Sequence, residues 1–238
     1  MTTTQTLSRL DPSLISTLPP FSQLDRRQIR AILDAASVRR MEEGTTVFAE
    51  GAPAERFFLL LDGYIRVVRI TAEGEQVIAL YIPSGQLFGI AKALGRDTYP
   101  ATAVMASEGI ALSWPTSLWD SFIADYPGFA TASGRTVGTR VGEMNNRIVE
   151  LATQQVEQRI ANAILRLTNQ TGKRVGDAIE IGFAITRQDL SEMTATTLHT
   201  VSRVLSAWQK AGIVESRRKR IAVLQPHALV EISARPPR

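Results

Sequence analysis

Glycine stands at positions 44, 51, 63, 74, 85 and 89, and the steps from 51 to 63, 74 and 85 are 12, 11 and 11 residues. A strand, a turn needing positive φ and a return strand fill about that length, so the beat describes a stack of β-hairpins. The segments between the glycines agree: residues 46–49, 56–61, 64–71, 76–82 and, later, 109–114 are rich in strand-forming residues. Ala72-Glu73-Gly74-Glu75 has the composition of a tight turn. By itself the pattern fits a ligand-binding roll and a plain barrel equally.

Helical texture flanks this region. Residues 1–20, rich in Thr and Ser and ending in Pro19-Pro20, read as a loose arm. Phe21, Leu24, Ile29, Ile32 and Leu33 have helical spacing behind a Ser22 cap candidate. Residues 128–155 read as one helix, about 40 Å long at ~1.5 Å per residue. Small or apolar residues recur there at Ala130, Gly134, Val137, Val141, Met144, Ile148 and Leu151, in alternating steps of 4 and 3. A period of about 3.5 residues marks a coiled-coil seam. The stripe is narrower than a helix lying on its own domain usually shows, so Val137, Val141, Met144, Ile148 and Leu151 are expected to pair two copies of the chain. Gly134, Gly138 and Gly142 weaken the first half of this helix by ~0.5–1 kcal/mol each relative to alanine. That half either orders when a signal arrives or allows close helix packing. Residues 156–170 form a further amphipathic helix, and 173–181 are turn-rich.

The sharpest local signal lies in residues 185–212, I-T-R-Q-D-L-S-E-M-T-A-T-T-L-H-T-V-S-R-V-L-S-A-W-Q-K-A-G. Thr186 with Asp189 three residues on resembles a capping box for a short helix to Met193, and Thr194-Ala195-Thr196 breaks it. Thr196 or Thr197 can cap a second helix that ends near Lys210, with Gly212 as its stop. Val201, Val204, Leu205 and Trp208 form its inner stripe. Two helices joined this way make a helix-turn-helix, whose second helix enters the major groove. Leu198, His199, Ser202 and Arg203 are then the reading face. Arg203 can donate to guanine O6 and N7, while Thr200, Thr197 and Arg187 suit phosphates. Behind Gly212, two short strands flank Arg217-Arg218-Lys219-Arg220. A basic tetrapeptide alone is commonly a solvated turn, but a wing bearing four cations beside a helix-turn-helix suits DNA contact and counterion release.

Charge and composition sharpen this. Residues 1–155 hold 14 Lys and Arg against 16 Asp and Glu, whereas residues 156–238 hold 13 against 7. A basic C-terminal part fits a duplex DNA partner. There is no cysteine, which excludes disulfides, thiol chemistry and a cysteine-held iron–sulfur cluster. Both histidines, His199 and His227, lie in the last 40 residues. No run of 18 apolar residues occurs, so no membrane partner and a cytoplasmic location are expected. No nucleophile–base pair, metal cluster or phosphate loop stands out, so an enzyme is not expected.

The glycines at 51, 63, 74, 85 and 89, together with H-T-V-S-R at 199–203, resemble the Crp/Fnr superfamily of bacterial regulators over about residues 20–225. The resemblance implies an α+β fold. Its parts would be an arm (1–20), an N-terminal β-roll or jelly roll of the cyclic-nucleotide-binding-domain type (21–127), a long dimerisation helix (128–155) and a C-terminal winged helix-turn-helix (156–238). It implies a homodimer on a palindromic duplex with TTG–spacer–CAA half-sites, and an RNA polymerase contact through residues 173–181. Cyclic-AMP-binding members hold their ligand with a Gly-Glu and an Arg-Ser pair. Here Gly89 keeps the glycine, Ile90 replaces the glutamate, and Pro100 and Ala101 stand in for the Arg-Ser pair. Asn145 and Asn146 replace the hydroxyl residues that face the purine. A phosphate entering such a pocket is desolvated without compensation, so a cyclic nucleotide is not expected. T-L-H-T-V-S-R looks like the nitric-oxide-responsive denitrification regulators, which are thought to sense through haem. Residues 1–198 offer no histidine or cysteine to a haem, so the signal, whether nitric oxide or oxygen status, stays open at this stage. A rival reading is a small-molecule or haem-binding sensor module that acts through protein contacts.

Overall fold

In the computed structural model, which describes residues 11–235, the hairpin beat becomes two four-stranded antiparallel sheets. Helix α1 (Arg26–Asp34) precedes strands β1 (Ser37–Met41), β2 (Thr46–Phe48), β3 (Arg56–Asp62), β4 (Tyr64–Ile70), β5 (Gln76–Pro83), β6 (Leu87–Phe88), β7 (Thr102–Met105) and β8 (Gly109–Pro115). The strand orders are β1-β8-β3-β6 and β2-β7-β4-β5. All six glycines of the beat have positive φ, from 64° to 89°. Two of them also have no room for a side chain: a Cβ at Gly63 would come within 2.7 Å of the Glu108 carbonyl oxygen, and one at Gly89 within 2.9 Å of the Phe58 ring and 3.0 Å of Phe48. Strands β1, β6 and β7 lack the bulky alternation of the others and were not expected.

Contacts divide the chain into two units, Met1–Arg69 with Tyr81–Gly142 and Ile70–Leu80 with Glu143–Arg238. In the first, β3 and β8 pair Phe57 with Trp114 and Leu59 with Leu112, all fully buried. Phe57 stacks on Trp114 at 5.3 Å and meets Trp119 edge-on at 5.0 Å. Trp119 opens α2 (Trp119–Asp125). The Trp114 indole donates to the Ile32 carbonyl at 2.8 Å, so its one polar atom is satisfied inside the core.

Two expectations for this unit need correction. The first ten residues of the loose arm lie outside the described residues, but the rest of the arm is packed. Residues 12–14 form a 3-10 turn capped by Asp11, and Ile15 and Phe21 are core residues. Helix α1 starts later than expected. Its cap is Asp25, in a reciprocal box with Gln28, while Ser22 Oγ donates back to the Pro19 carbonyl. A carboxylate at the cap also suits the helix N-terminal dipole.

Helix α3 (Pro127–Thr153) is continuous, as the heptad spacing requires. Its first turns bury Phe129, Ala132 and Ser133, and Val137 packs partly against the same core. The expected seam is therefore split. Val137 serves its own chain's core, while Val141, Met144, Ile148 and Leu151 are exposed, together with Val149, which the heptad frame missed. Met144 and Ile148 are the barest of these on the expected seam, at 57% and 64% exposed.

The second unit continues through α4 (Val156–Thr171), β9 (Lys173–Val175), β10 (Ala178–Glu180), α5 (Arg187–Thr194), α6 (Leu198–Lys210), β11 (Val214–Arg217), β12 (Arg220–Val223) and α7 (Pro226–Ser233). Its sheet order is β11-β12-β10-β9. Ile160, Ile164 and Leu167 of α4, with Ile185, Leu190, Val201, Leu205 and Leu229, are buried, and α4 lies against α5 and α7. Among the described residues no helix is long and apolar enough to cross a membrane.

Candidate nucleic-acid interface

Two caps set the angle between α5 and α6. The Thr186 backbone N–H donates to Asp189 Oδ2 at 2.7 Å, and the Asp189 N–H donates to Thr186 Oγ1 at 3.0 Å, closing the expected box. At the other end of α5, Thr194 Oγ1 donates to the Leu190 carbonyl and Ala195 takes φ 48°, a left-handed turn in a residue with a Cβ. Thr197 then caps α6, accepting from the Thr200 N–H at 3.2 Å. Its hydroxyl also lies 3.0 Å from Thr200 Oγ1, so both threonines are tied to the start of the helix.

Helix α6 buries Val201, Leu205 and Trp208, and Val204 is only half-buried. The Trp208 indole donates to Glu157 Oε1 at 3.0 Å, which fixes α6 against α4. On the opposite side Leu198, His199 and Arg203 are exposed and Ser202 is partly so. The residues expected to read bases thus share one solvent-facing strip at the N-terminal half of the helix. Ser206, one turn beyond Ser202, extends that strip and was not anticipated.

The phosphate-binding candidates are less free than expected. Arg187 opens α5, but one of its terminal nitrogens lies 3.5 Å from Ser216 Oγ on β11. The wing turn is only two residues long, because Arg217 and Arg220 are themselves paired across β11 and β12. Arg217 holds Glu215 at 2.6 Å and Arg220 lies 3.7 Å from Glu180. Arg218 and Lys219 make the tip, Lys219 with φ 60°. Two of the four expected cations therefore stand beside carboxylates of their own domain; i, i+2 spacing on one strand face could have revealed Glu215, whereas Glu180 lies 40 residues from Arg220.

In the first unit, the positions aligned with a nucleotide pocket are apolar in fact as well as in sequence. Ile90 is 4% exposed and belongs to the core with Leu59, Leu87 and Trp114. Ala101 is buried and Pro100 half-buried. Beside Gly89, Phe48 stacks on Tyr99 at 3.8 Å and packs with Phe58 and Phe88. The Tyr99 hydroxyl donates to the Arg56 carbonyl at 2.6 Å, and burial pushes its phenol above the ordinary value, keeping it a donor. Arg140 of α3, which the alignment did not single out, donates to the Leu87 carbonyl. Positions 90, 100 and 101 carry no donor side chain. Asn145 and Asn146 fall in the second unit and are exposed, not packed as pocket residues.

Residues 38–126 match the family described as the cyclic nucleotide-binding domain, and residues 158–232 match the Crp-like helix-turn-helix domain. The chain is 23% identical over 180 residues to a CRP-like cAMP-activated global transcriptional regulator of Mycobacterium tuberculosis, covering 76% of this chain and 80% of that one. It is 26% identical over 194 residues to the global nitrogen regulator of Synechococcus elongatus, covering 81% and 87%. A structure of FixK2 from Bradyrhizobium japonicum superposes with a TM-score of 0.74 at 18% identity, over 84% of this chain and 98% of that chain. Both relatives are named as regulators, the first of them as a transcriptional regulator, and neither as an enzyme.

Proposed function

Because the chain belongs to the Crp/Fnr family of DNA-binding transcription regulators, we propose that two copies, paired along the bare stripe of α3, read a palindromic duplex through Arg203 under a signal other than a cyclic nucleotide. The observation that carries this reading is the two-sided α6. Val201, Leu205 and Trp208 hold it in place, and His199, Ser202 and Arg203 face solvent with their hydrogen-bonding groups available to base edges. Arg218 and Lys219 at the wing tip supply phosphate contacts, and the polymerase contact falls on the β9–β10 turn. The site of action is the cytoplasm.

The signal is assigned to nitrogen-oxide or oxygen status, on the likeness of T-L-H-T-V-S-R to the denitrification regulators. Haem is an uneasy carrier for it. What supports this is that both histidines belong to the second unit, His199 on the reading face and His227 3.2 Å from Glu231. An absorbance spectrum of freshly purified protein tests this, since a Soret band would require a ligand set other than histidine from the first unit.

The test of the DNA reading is Arg203→Ala. Loss of a bidentate guanine contact costs ~1–3 kcal/mol and relaxes the preference at one base pair. Equal affinity of parent and variant for every base at that position removes Arg203 from the role.

A further inference from the structure

The tip of the β4–β5 hairpin does not group with the rest of its sheet: Ile70–Leu80 belongs to the unit that contains the helix-turn-helix. Two polar contacts hold it there. Arg147 of α3 donates through Nη1 to the Ala79 carbonyl at 2.8 Å and through Nη2 to the Met193 carbonyl. Gln76 Nε2 donates to Glu192 Oε2 at 2.8 Å, and the other oxygen of Glu192 accepts from Gln188 at 2.9 Å. One guanidinium therefore bridges the hairpin and the last turn of α5, and one amide bridges the hairpin and the same turn.

Each acceptor has a reason to take a cation or donor. Met193 is among the last residues of α5, where carbonyls lack a helical partner and carry the negative end of the dipole. Ala79 lies on β5, the outer strand of its sheet, where alternate carbonyls have no ladder partner. Arg147 itself is partly buried. Burial, and the neighbouring Arg166, push its guanidinium down to about 10, so it remains charged at neutral pH. Arg166 is engaged with Glu150 at 2.5 Å, which leaves Arg147 facing the two carbonyls.

We propose that the docked hairpin is a brake on DNA binding, released when the Arg147 and Gln76 bridges to the end of α5 open. The inference rests on the DNA-binding reading above. In a helix-turn-helix the first helix crosses the phosphate backbone while the second reads bases. The hairpin occupies that first helix at Glu192 directly and at Met193 through the Arg147 guanidinium. It also carries Glu73 and Glu75, the latter the immediate neighbour of Gln76, and carboxylates within a Debye length of a phosphate backbone oppose its approach. Hairpin and duplex therefore compete for α5, sterically and by charge.

The experiment uses the full chain and two duplexes, one with inverted TTG and CAA half-sites and one of scrambled sequence. Gln76→Ala and Arg147→Gln are expected to bind the palindrome about tenfold tighter, ~1.4 kcal/mol, and to accelerate hydrogen exchange at residues 71–80. Gln76→Lys separates the brake from simple charge. It strengthens the bridge to Glu192 and should bind the palindrome several-fold more weakly, although an added cation would by itself favour DNA. Tighter binding by Gln76→Lys overturns the proposal, as does unchanged binding by Gln76→Ala, a half-buried side chain whose loss leaves the fold intact. A parent that prefers the palindrome, with variants no different from it, sinks the brake alone. A parent and variants all indifferent to duplex sequence sink the DNA reading along with it.

Discussion

Ile90→Glu restores the residue type that cyclic-AMP-binding members carry, and the structure says that it should break the roll instead of making a pocket. Ile90 is 4% exposed and packs with Leu59, Leu87 and Trp114. Removing a fully buried isoleucine side chain forfeits ~1.5–3 kcal/mol of apolar burial. An uncharged carboxyl without a partner in that place adds ~1–3 kcal/mol. Even protonated, the variant is therefore ~2.5–6 kcal/mol less stable, against a total of roughly 5–15 kcal/mol for a typical domain. Ionisation makes matters worse. Burial raises the pKa of the folded state above the ordinary ~4.3, so the folded form holds its proton where the unfolded form has lost it. Stability then falls as pH rises from about 4.3 towards the raised value, by ~1.36 kcal/mol for each unit of the shift. Urea unfolding at pH 5 and pH 8, followed by far-ultraviolet circular dichroism, should show a lowered midpoint at the first and a much lower one at the second. Calorimetric titration with cyclic AMP should give no heat. A midpoint unchanged at pH 8, or measurable nucleotide affinity, would show that position 90 faces an open site and that the argument against a nucleotide effector is wrong.

Three further outcomes are expected. Gly89→Ala places a Cβ 2.9 Å from Phe58 at φ 64°, so left-handed strain and overpacking together should cost ~2–5 kcal/mol in a chemical denaturation curve. Met144→Glu with Ile148→Glu puts like charges on the bare stripe of α3. Analytical ultracentrifugation should find a monomer with much reduced affinity for the palindrome, and an unaltered dimer would move the interface elsewhere. Gly138→Ala with Gly142→Ala adds methyl groups that meet nothing within 4 Å in the single chain, so each should stabilise α3 by ~0.5–1 kcal/mol. A loss of stability that grows with protein concentration would instead place both glycines against a second helix.

What could be read from residues alone was what short-range chemistry decides. The glycine beat, the Thr186–Asp189 box and the Thr197 cap concern atoms within a few residues of each other, and all appear as anticipated. The two-sided pattern of α6 survives too, because helical period and burial are one fact seen twice. Misreadings arose where a distant segment competes. One exception is local: Ser22 has the right chemistry for a cap, but Asp25, three residues on, has Gln28 to reciprocate. Val137 fits the heptad, yet the aromatic core around Phe129 claims it first. Arg220 looks like a free cation until β10 pairs with β12 and brings Glu180 beside it. The hairpin's attachment to α5 depends on Gln76 and Glu192, 116 residues apart, and no local signal announces it.

The indole bond between Trp208 and Glu157 has a practical corollary. The chain has three tryptophans; Trp114 and Trp119 are buried in the first unit, and Trp208 alone lies in the second, inside its interior and against a carboxylate. Intrinsic fluorescence is thus already partitioned by nature. A Trp208→Phe chain emits solely from the roll, and subtracting its spectrum from the parent's isolates the light of the reading module, so the melting of each half can be followed in one cuvette without any dye.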